Sequence, residues 1–173
     1  MKEVPSHLAH RHEAPSKLTI MVISVSDTRN LATDRSGARI VSMLEEAGHK
    51  VLDRSIVPDE DEAIEAAILL ALGLKGCDAV LLTGGTGLSP RDRTAPVVES
   101  LCEQLIPGFG ELFRMLSYDE IGAAAMLSRA MAGTRGQQAI LAMPGSTGAV
   151  ELAMKKLVLP ELGHILREVR RGK

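Results

Sequence analysis

The stretch LTIMVISV, from Leu18 to Val25, is a predominantly apolar run rich in β-branched residues. It predicts a strand buried on both faces, because a strand with one face in water alternates polar and apolar residues. Strands of this kind belong to parallel sheets that helices cover on both sides. The polar segment from Ser26 to Ser36 ends the run. The stretch therefore indicates an α/β fold.

The rest of the chain repeats the alternation of strand and helix. Three further runs predict strands: KVLDRSIV (50–57), DAVLLT (78–83) and QAILAM (138–143). Helix-forming segments lie near Gly37 to Ala47, in DEDEAIEAAILLALGLKG, from about Thr94 to Gln104, in ELFRMLS and IGAAAMLSRAMAG, in AVELAMKKLV, and after Pro160. This order predicts one domain with a mostly parallel sheet between helical layers.

The composition argues against several function classes. The chain has 173 residues, a net charge of −2, two phenylalanines, one tyrosine and no tryptophan. A nucleic-acid-binding protein needs a basic surface or aromatic side chains for base stacking, so we expect no nucleic-acid partner. With no signal pattern and no apolar run of about 20 residues, we expect a cytoplasmic protein with no membrane partner. Cys77 and Cys102 fit no disulfide or zinc pattern and are expected to be buried thiols.

The first part of the chain differs from the rest. Residues 1–17 carry two prolines, three histidines and no apolar periodicity, so we expect a flexible N-terminal arm before a single domain at 18–173. His7, His10 and His12 could bind a metal ion. Solvated side chains are the better interpretation, because no rigid scaffold holds these histidines in place.

Polar or glycine-rich turns follow all four predicted strands. They are SDTR, PDED, TGGTGLSPRDRT and PGSTG, which begin at Ser26, Pro58, Thr83 and Pro144. Ligands of open parallel sheets bind outside the carboxyl ends of the strands. These turns therefore predict a site at one edge of the sheet.

The TGGTG segment, from Thr83 to Gly87, offers backbone N–H groups with no side chains in the way. Such a loop suits phosphate binding, although tight packing alone explains it equally well. No Gly-Lys-Ser/Thr follows it, which argues against a P-loop. SDTR stands where a dinucleotide site would have GxGxxG.

Two aspartates near these turns are candidate Mg²⁺ ligands. Asp92 follows the glycines, between two arginines, and a carboxylate beside a bound phosphate requires a cation between them. The alternative is a turn or N-cap aspartate. Asp59 could be a second carboxylate at the metal, or could form a capping box with Glu62. Ser146 or Thr147 could cap the last main helix, help to bind an anion, or do both.

The chain carries several short motifs in a fixed order: Ser26-Asp-Thr28, Asp34-x-Ser-Gly37, Thr83-Gly-Gly-Thr-Gly87 with Ser89-Pro-Arg-Asp92, Pro107-Gly-Phe-Gly-Glu111, Leu127-Ser-Arg129 and Pro144-Gly-Ser146. Together they resemble the MoaB/Mog family of molybdenum cofactor biosynthesis proteins, whose fold also occurs as a domain of gephyrin. The resemblance extends from about Leu18 to Val169.

The resemblance implies a three-layer α/β/α fold that assembles as trimers or hexamers. It also implies the transfer of AMP from Mg-ATP to molybdopterin, with Mg²⁺ as cofactor and with ATP and molybdopterin as substrates. The essential aspartate of the family falls on Asp92, and its second acidic position falls on Asp59. The residues that the resemblance assigns to the pterin and the nucleotide are Ser26, Asp27, Thr83, Gly84, Gly85, Thr86, Gly87, Glu111, Ser128, Pro144, Gly145 and Ser146.

Two parts of the sequence resemble different members of the family. The segment from Pro107 to Gly122 resembles the MoaB branch, whereas SPRD, from Ser89 to Asp92, resembles the members that transfer AMP. We therefore favour an active adenylyltransferase. The alternative is a non-catalytic molybdopterin carrier or scaffold of the same pathway. The molybdenum-inserting enzyme of the pathway is a further expected partner.

The aromatic residues are clustered. Phe109, Phe113 and Tyr118 all lie within one window of ten positions. The two phenylalanines share one face if this segment is helical. We expect the window to form an apolar anchor at a subunit contact or beside the pterin cleft.

Overall fold

The computed structural model describes residues 15–171, which form a six-stranded sheet with helices on both faces. The expected N-terminal arm falls mostly outside the described residues. The same is true of His7, His10 and His12, and so of the metal site considered for them. Pro15 to Lys17 precede the first strand and belong to no helix or strand.

The strands are β1 (Thr19–Val25), β2 (Lys50–Val57), β3 (Ala79–Thr83), β4 (Gln104–Leu105), β5 (Met131–Arg135) and β6 (Gln138–Met143). The α-helices are α1 (Arg35–Glu46), α2 (Asp61–Gly73), α3 (Thr94–Leu101), α4 (Pro107–Ile121), α5 (Thr147–Ala153) and α6 (Leu159–Arg170). A 3₁₀ helix spans Gly122–Leu127, and a π-helical segment, Met154–Val158, joins α5 to α6. Within residues 15–171, every helix falls short of the length or the apolar character that crossing a membrane requires.

The strand order in the sheet is β2-β1-β3-β6-β5-β4. The first four strands in this order run parallel, while β5 is antiparallel to β6 and β4 is antiparallel to β5. The predicted α/β fold with a mostly parallel sheet is confirmed. The carboxyl ends of the four parallel strands meet at one edge, and we call the loops that follow them (residues 26–34, 58–60, 84–93 and 144–146) the parallel rim.

The core lies on both faces of the sheet, as the apolar run of β1 predicts. Ile20 and Val22 pack on the face covered by α1, α4, α5 and α6. Met21 and Ile23 pack on the opposite face, which α2 and α3 cover. Successive residues of a strand point to opposite faces, so a strand with helices on both sides needs apolar residues throughout.

The segment from Ile121 to Gly133 differs from the helix that its composition predicts. Gly122 has a φ of +62° and ends α4, and the chain continues as the 3₁₀ helix and then as β5. β5 pairs with β6 through a hairpin that contains Gly136, whose φ is +57°. Pairing with a buried strand outweighs the helix propensity of alanine and methionine here.

The aromatic cluster also differs from the expectation. Phe109 is 6% exposed and Phe113 is 2% exposed, and both pack in the core of the subunit. The expectation that these two phenylalanines form an apolar anchor, at a subunit contact or beside the cleft, is therefore wrong. Tyr118 is 61% exposed, because it lies on the solvent side of α4.

Candidate active site at the parallel rim

The glycine-rich segment after β3 turns sharply at the edge of the sheet. Gly84 has a φ of +100° and Gly85 a φ of +63°, which residues with a Cβ rarely adopt. A Cβ on Gly84 would collide with the carbonyl oxygen of Val25 in β1. A Cβ on Gly145 would lie 3.2 Å from the Cα of Gly84, so the loops after β3 and β6 are in close contact. These glycines allow three loops of the parallel rim to converge.

A cleft of about 310 Å³ opens between the loops that follow β1, β3 and β6. The predicted substrate-binding residues that line it are Ser26, Thr83, Gly84, Gly145 and Ser146. The Thr83 hydroxyl donates to the carbonyl oxygen of Pro144 at 3.0 Å and so joins two of these loops. Ser146 Oγ accepts the N–H of Ala149 at 3.3 Å. The capping role predicted for Ser146 is therefore confirmed.

A buried aspartate also lines this cleft. Asp34 is 2% exposed, and its Oδ2 accepts a hydrogen bond from Ser24 Oγ at 2.6 Å. Its Oδ1 accepts hydrogen bonds from Ser36 Oγ at 3.1 Å and from the N–H of Gly37 at 2.9 Å. Burial opposes ionisation, but the hydrogen bonds outweigh it and hold the pKa of Asp34 below its usual value. Asp34 thus caps α1 as an anion beneath the cleft.

Three aspartates meet beside the cleft, one each from the loops that follow β1, β2 and β3. The N–H of Asp59 donates to Asp27 Oδ1 at 3.0 Å. Burial raises the pKa of Asp59, and the negative charges of Asp92 and Asp27 raise it further. The structure therefore brings the two predicted metal ligands, Asp59 and Asp92, within electrostatic reach of each other.

The arginines on either side of Asp92 bind other aspartates. Arg91 forms an ion pair with Asp27 through Nε, at 3.2 Å, and through Nη2. Its hydrogen bond is the main cause that lowers the pKa of Asp27. Arg93 donates to Asp61 from Nε and Nη2, at 2.6 Å each. Both guanidinium groups thus pair with aspartates other than Asp92.

The sequence offered local roles for two aspartates, a turn or N-cap for Asp92 and a capping box for Asp59, and only the turn is present. Asp92 Oδ2 accepts the N–H of Ser89 at 2.9 Å, so this aspartate does close a turn. Asp59 does not cap α2, whose N-cap is Glu60. Its Oδ1 accepts the N–H of Arg93 at 2.8 Å instead. The capping-box interpretation of Asp59 is therefore wrong, and this carboxylate joins the loop after β2 to the start of α3.

The donor set of this cluster fits Mg²⁺. In the part of the chain that the structure describes, no group of three or more His, Cys, Asp or Glu residues could hold a metal ion by itself. Mg²⁺ needs only one or two carboxylates, because waters and substrate phosphates complete its shell. A Cβ on Gly85 would lie 2.8 Å from Asp59 Oδ1, and one on Gly87 would lie 2.8 Å from Asp92 Oδ2. Both carboxylates therefore lie against the loop predicted to hold phosphate.

An arginine from outside the parallel rim fixes the glycine loop. Arg129, which follows the 3₁₀ helix, donates from Nε to the carbonyl oxygen of Gly87 at 2.7 Å and from Nη2 to that of Asp92 at 2.6 Å. Its backbone N–H donates to the carbonyl oxygen of Thr86 at 2.9 Å. The side chain of Thr86 belongs to the interior, with the residue only 3% exposed. These hydrogen bonds hold the backbone of the glycine loop and of Asp92 in place.

Two of the predicted substrate-binding residues lie elsewhere. Glu111 and Ser128 line a separate cavity of about 490 Å³ between α3, α4 and β5. The carbonyl oxygen of Ser128 accepts a hydrogen bond from Arg114 Nη1 at 3.2 Å. Neither Glu111 nor Ser128 lines the cleft at the parallel rim. The structure of one subunit therefore does not bring them to the other predicted residues.

Comparisons with known proteins identify the family of the chain. A family described as a probable molybdopterin binding domain matches residues 21–164. The chain belongs to this family. Within it, the molybdenum cofactor biosynthesis protein B of Halalkalibacterium halodurans is 50% identical to the chain over 161 residues, which are 92% of this chain and 95% of that protein.

Solved structures show the same likeness. A crystal structure of molybdenum cofactor biosynthesis protein B is 50% identical, with a TM-score of 0.88 over 92% of this chain and 99% of that chain. The tungsten cofactor synthesizing protein MoaB from Pyrococcus furiosus is 35% identical, with a TM-score of 0.82 over 91% and 99%. The resemblance to the MoaB/Mog family is confirmed, and the chain is a molybdenum cofactor biosynthesis family member.

Sequence reasoning assigned no role to several residues of the site. Ser24 lines the cleft, and its signal is a polar residue near the end of an apolar strand. Asp34 and Ser36 also line the cleft, and the motif that contains them, Asp34-x-Ser-Gly37, indicates the family and no role for either side chain. Arg29 donates to the carbonyl oxygen of Gly145 at 3.3 Å, a contact between residues 116 positions apart that no local pattern indicates.

Proposed function

We infer that this protein transfers the AMP group of Mg-ATP to the terminal phosphate of molybdopterin. The observation that carries this inference is that the carboxylates of Asp59 and Asp92 both lie against the glycine loop, whose residue Gly84 lines the 310 Å³ cleft. The family and the names of the relatives support a pterin as the ligand. In the reaction, an oxygen of the pterin phosphate bonds to the α-phosphorus of ATP, the bond to the β-phosphate oxygen breaks, and pyrophosphate leaves.

The protein would contribute binding and orientation, because the attacking oxygen belongs to the substrate. Asp92 and Asp59 would hold Mg²⁺, which when bound neutralises charge on the departing pyrophosphate. The N–H groups of the glycine loop would orient the phosphates. Ser26 and Gly145 would contact the pterin side of the cleft, and the positive charge of Arg29 lies at the same place.

The test is formation of the AMP adduct by the purified protein with molybdopterin and Mg-ATP. We expect adduct and pyrophosphate in equal amounts, and we expect Asp92→Asn to lower the rate about 100-fold or more because a charge that holds the cation is lost. Asp119→Asn, an exposed aspartate on α4, is the matched control and should keep the rate of the unmodified protein. A rate unchanged by Asp92→Asn would contradict the role given to Asp92.

A non-catalytic molybdopterin carrier is the second candidate. It is favoured by the segment from Pro107 to Gly122, which resembles the MoaB branch of the family. The carrier would bind the pterin without consuming ATP. Calorimetry that finds pterin binding, together with no adduct at any Mg²⁺ concentration, would favour this function over the first.

We also propose that the chain assembles as a trimer or a hexamer. Apolar side chains that would otherwise face water support this proposal, among them Met115, Ile121 and Met126, which are 60%, 60% and 75% exposed. Sedimentation of the protein should give three or six times the chain mass of 18.5 kDa. A monomer at all concentrations would contradict the proposal. The molybdenum-inserting enzyme is a further proposed partner, because it would consume the adduct.

A further inference from the structure

The hydroxyl group of Thr94 is buried and has no hydrogen-bond partner. Thr94 is the first residue of α3 and is 0% exposed. Within residues 15–171, its Oγ1 is the buried side-chain polar atom that lacks a partner. Leaving a buried hydroxyl unpaired costs free energy, so native proteins retain few such groups. This hydroxyl therefore requires an explanation.

The unpaired hydroxyl and the carboxylate of Asp59 both lie against Gly85 of the glycine loop. A Cβ on Gly85 would collide with Thr94 Oγ1 and would lie 2.8 Å and 2.9 Å from Asp59 Oδ1 and Oδ2. All three oxygen atoms thus converge on the same point, next to a residue that has no side chain. Glycine at position 85 is what allows the hydroxyl and the carboxylate to approach each other.

The backbone holds both groups in this arrangement. The N–H of Thr94 donates to the carbonyl oxygen of Gly85 at 3.0 Å, which holds the start of α3 against the glycine loop. The N–H of Arg93, the preceding residue, donates to Asp59 Oδ1 at 2.8 Å. The next donor along the chain is the Thr94 hydroxyl, and the carboxylate of Asp59 is the charged acceptor beside it. A hydroxyl donates more strongly to an ionised carboxylate than to a neutral group.

We propose that Thr94 is a positioning residue whose hydroxyl donates to the carboxylate of Asp59 when Asp59 binds a divalent cation. The proposal rests on the proposed function, which makes Asp59 a Mg²⁺ ligand. Since the hydroxyl is unpaired in the free protein, the new hydrogen bond exists only in the loaded state. An interaction present in one state alone contributes fully to binding in that state. The unpaired hydroxyl of the free protein thus increases the affinity for the cation.

The test compares two variants of the full chain. Thr94→Val keeps the shape of the side chain without the hydroxyl, and Thr94→Ser keeps the hydroxyl. Binding of Mn²⁺, in place of Mg²⁺, is followed by electron paramagnetic resonance. We expect Thr94→Val to bind Mn²⁺ about 10-fold more weakly and Thr94→Ser to bind it like the unmodified protein. Without metal, Thr94→Val should unfold at the same temperature or higher, because it removes an unpaired buried polar group.

The outcomes separate this proposal from the proposed function. If Thr94→Val binds Mn²⁺ like the unmodified protein while Asp59→Asn binds it weakly, the positioning role of Thr94 is overturned and the metal site stands. Equal weakening in Thr94→Val and Thr94→Ser also overturns it, since packing would then be the cause. If the unmodified protein and Asp59→Asn bind Mn²⁺ equally, the metal role of Asp59 fails and this proposal fails with it.

Discussion

The parallel rim and the edge of the sheet that carries the antiparallel strands form their cavities in different ways. At the parallel rim, four loops leave parallel strands in the same direction, and polar segments from three of them, far apart in sequence, meet around one cleft. At the antiparallel edge, which comprises β4, β5, α4 and the 3₁₀ helix, the chain reverses direction and a second cavity forms. Strand direction therefore determines which motifs share a site, and Arg129 links the two regions.

The largest expected effect is a difference in the free energy of unfolding between alanine variants of two glycines with positive φ. Gly85→Ala should lower the free energy of unfolding by about 3 kcal/mol, because alanine disfavours this backbone conformation and its Cβ would collide with Thr94 Oγ1. Gly136 of the β5–β6 hairpin has a φ of +57° and nothing within 4 Å of an added Cβ. Gly136→Ala should therefore cost only about 1 kcal/mol. Denaturant unfolding measures both values, and equal losses would refute the close packing of the parallel rim.

The next effect concerns the aspartate beneath the cleft. Asp34→Ala should lower the free energy of unfolding by about 2 kcal/mol, because it removes the cap of α1 and leaves Ser24 Oγ without its acceptor. Asp119→Ala, on the solvent side of α4, should change it by less than about 0.5 kcal/mol.

The stabilisation by Asp34 should also depend on pH. Its pKa in the folded protein lies below that in the unfolded chain. The contribution is therefore fully present above the unfolded pKa of about 3.9 and is lost as the pH falls through the folded pKa. Urea unfolding should show a smaller difference in the free energy of unfolding between Asp34→Ala and the unmodified protein in acid than at pH 7. A difference that stays constant would contradict the assigned ionisation.

A smaller effect tests the link between the two regions. Arg129→Lys removes the fork that donates to the carbonyl oxygens of Gly87 and Asp92, so the glycine loop should become less well positioned. We expect AMP transfer to fall about 10-fold. Arg135→Lys is the control, because Arg135 donates to the carbonyl oxygen of Leu101 at the antiparallel edge. Equal rates in the two variants would show that Arg129 does not act on the site.

The smallest effect is expected in the second cavity. Glu111→Gln removes a charge from an exposed residue that does not line the cleft, so AMP transfer should change by less than about 2-fold. Steady-state rates compared with those of Asp92→Asn measure this difference. A loss as large as that of Asp92→Asn would mean that the two cavities form one site in the assembled protein.

Much of the parallel rim could be predicted, because its signals are local. The strand bounds of β2 and β6 match the predicted runs, and β1 begins one residue after Leu18. The convergence of the loops that carry Ser26 and Ser146 follows from the order of parallel strands. The antiparallel edge could not be predicted in this way, since alanine and methionine between Gly122 and Gly133 favour a helix and β5 is a strand through its pairing with β6 and β4.

By itself, the amino-acid sequence determined the α/β class, the four parallel strands and the turns that carry the candidate site. These depend on the spacing of apolar residues and on the backbone preferences of glycine and proline. Only the tertiary structure decided that Arg91 pairs with Asp27, that Asp59 accepts the N–H of Arg93 and that Glu111 lies in another cavity. Such contacts join residues far apart in the chain, so their geometry is set by packing and by no local pattern.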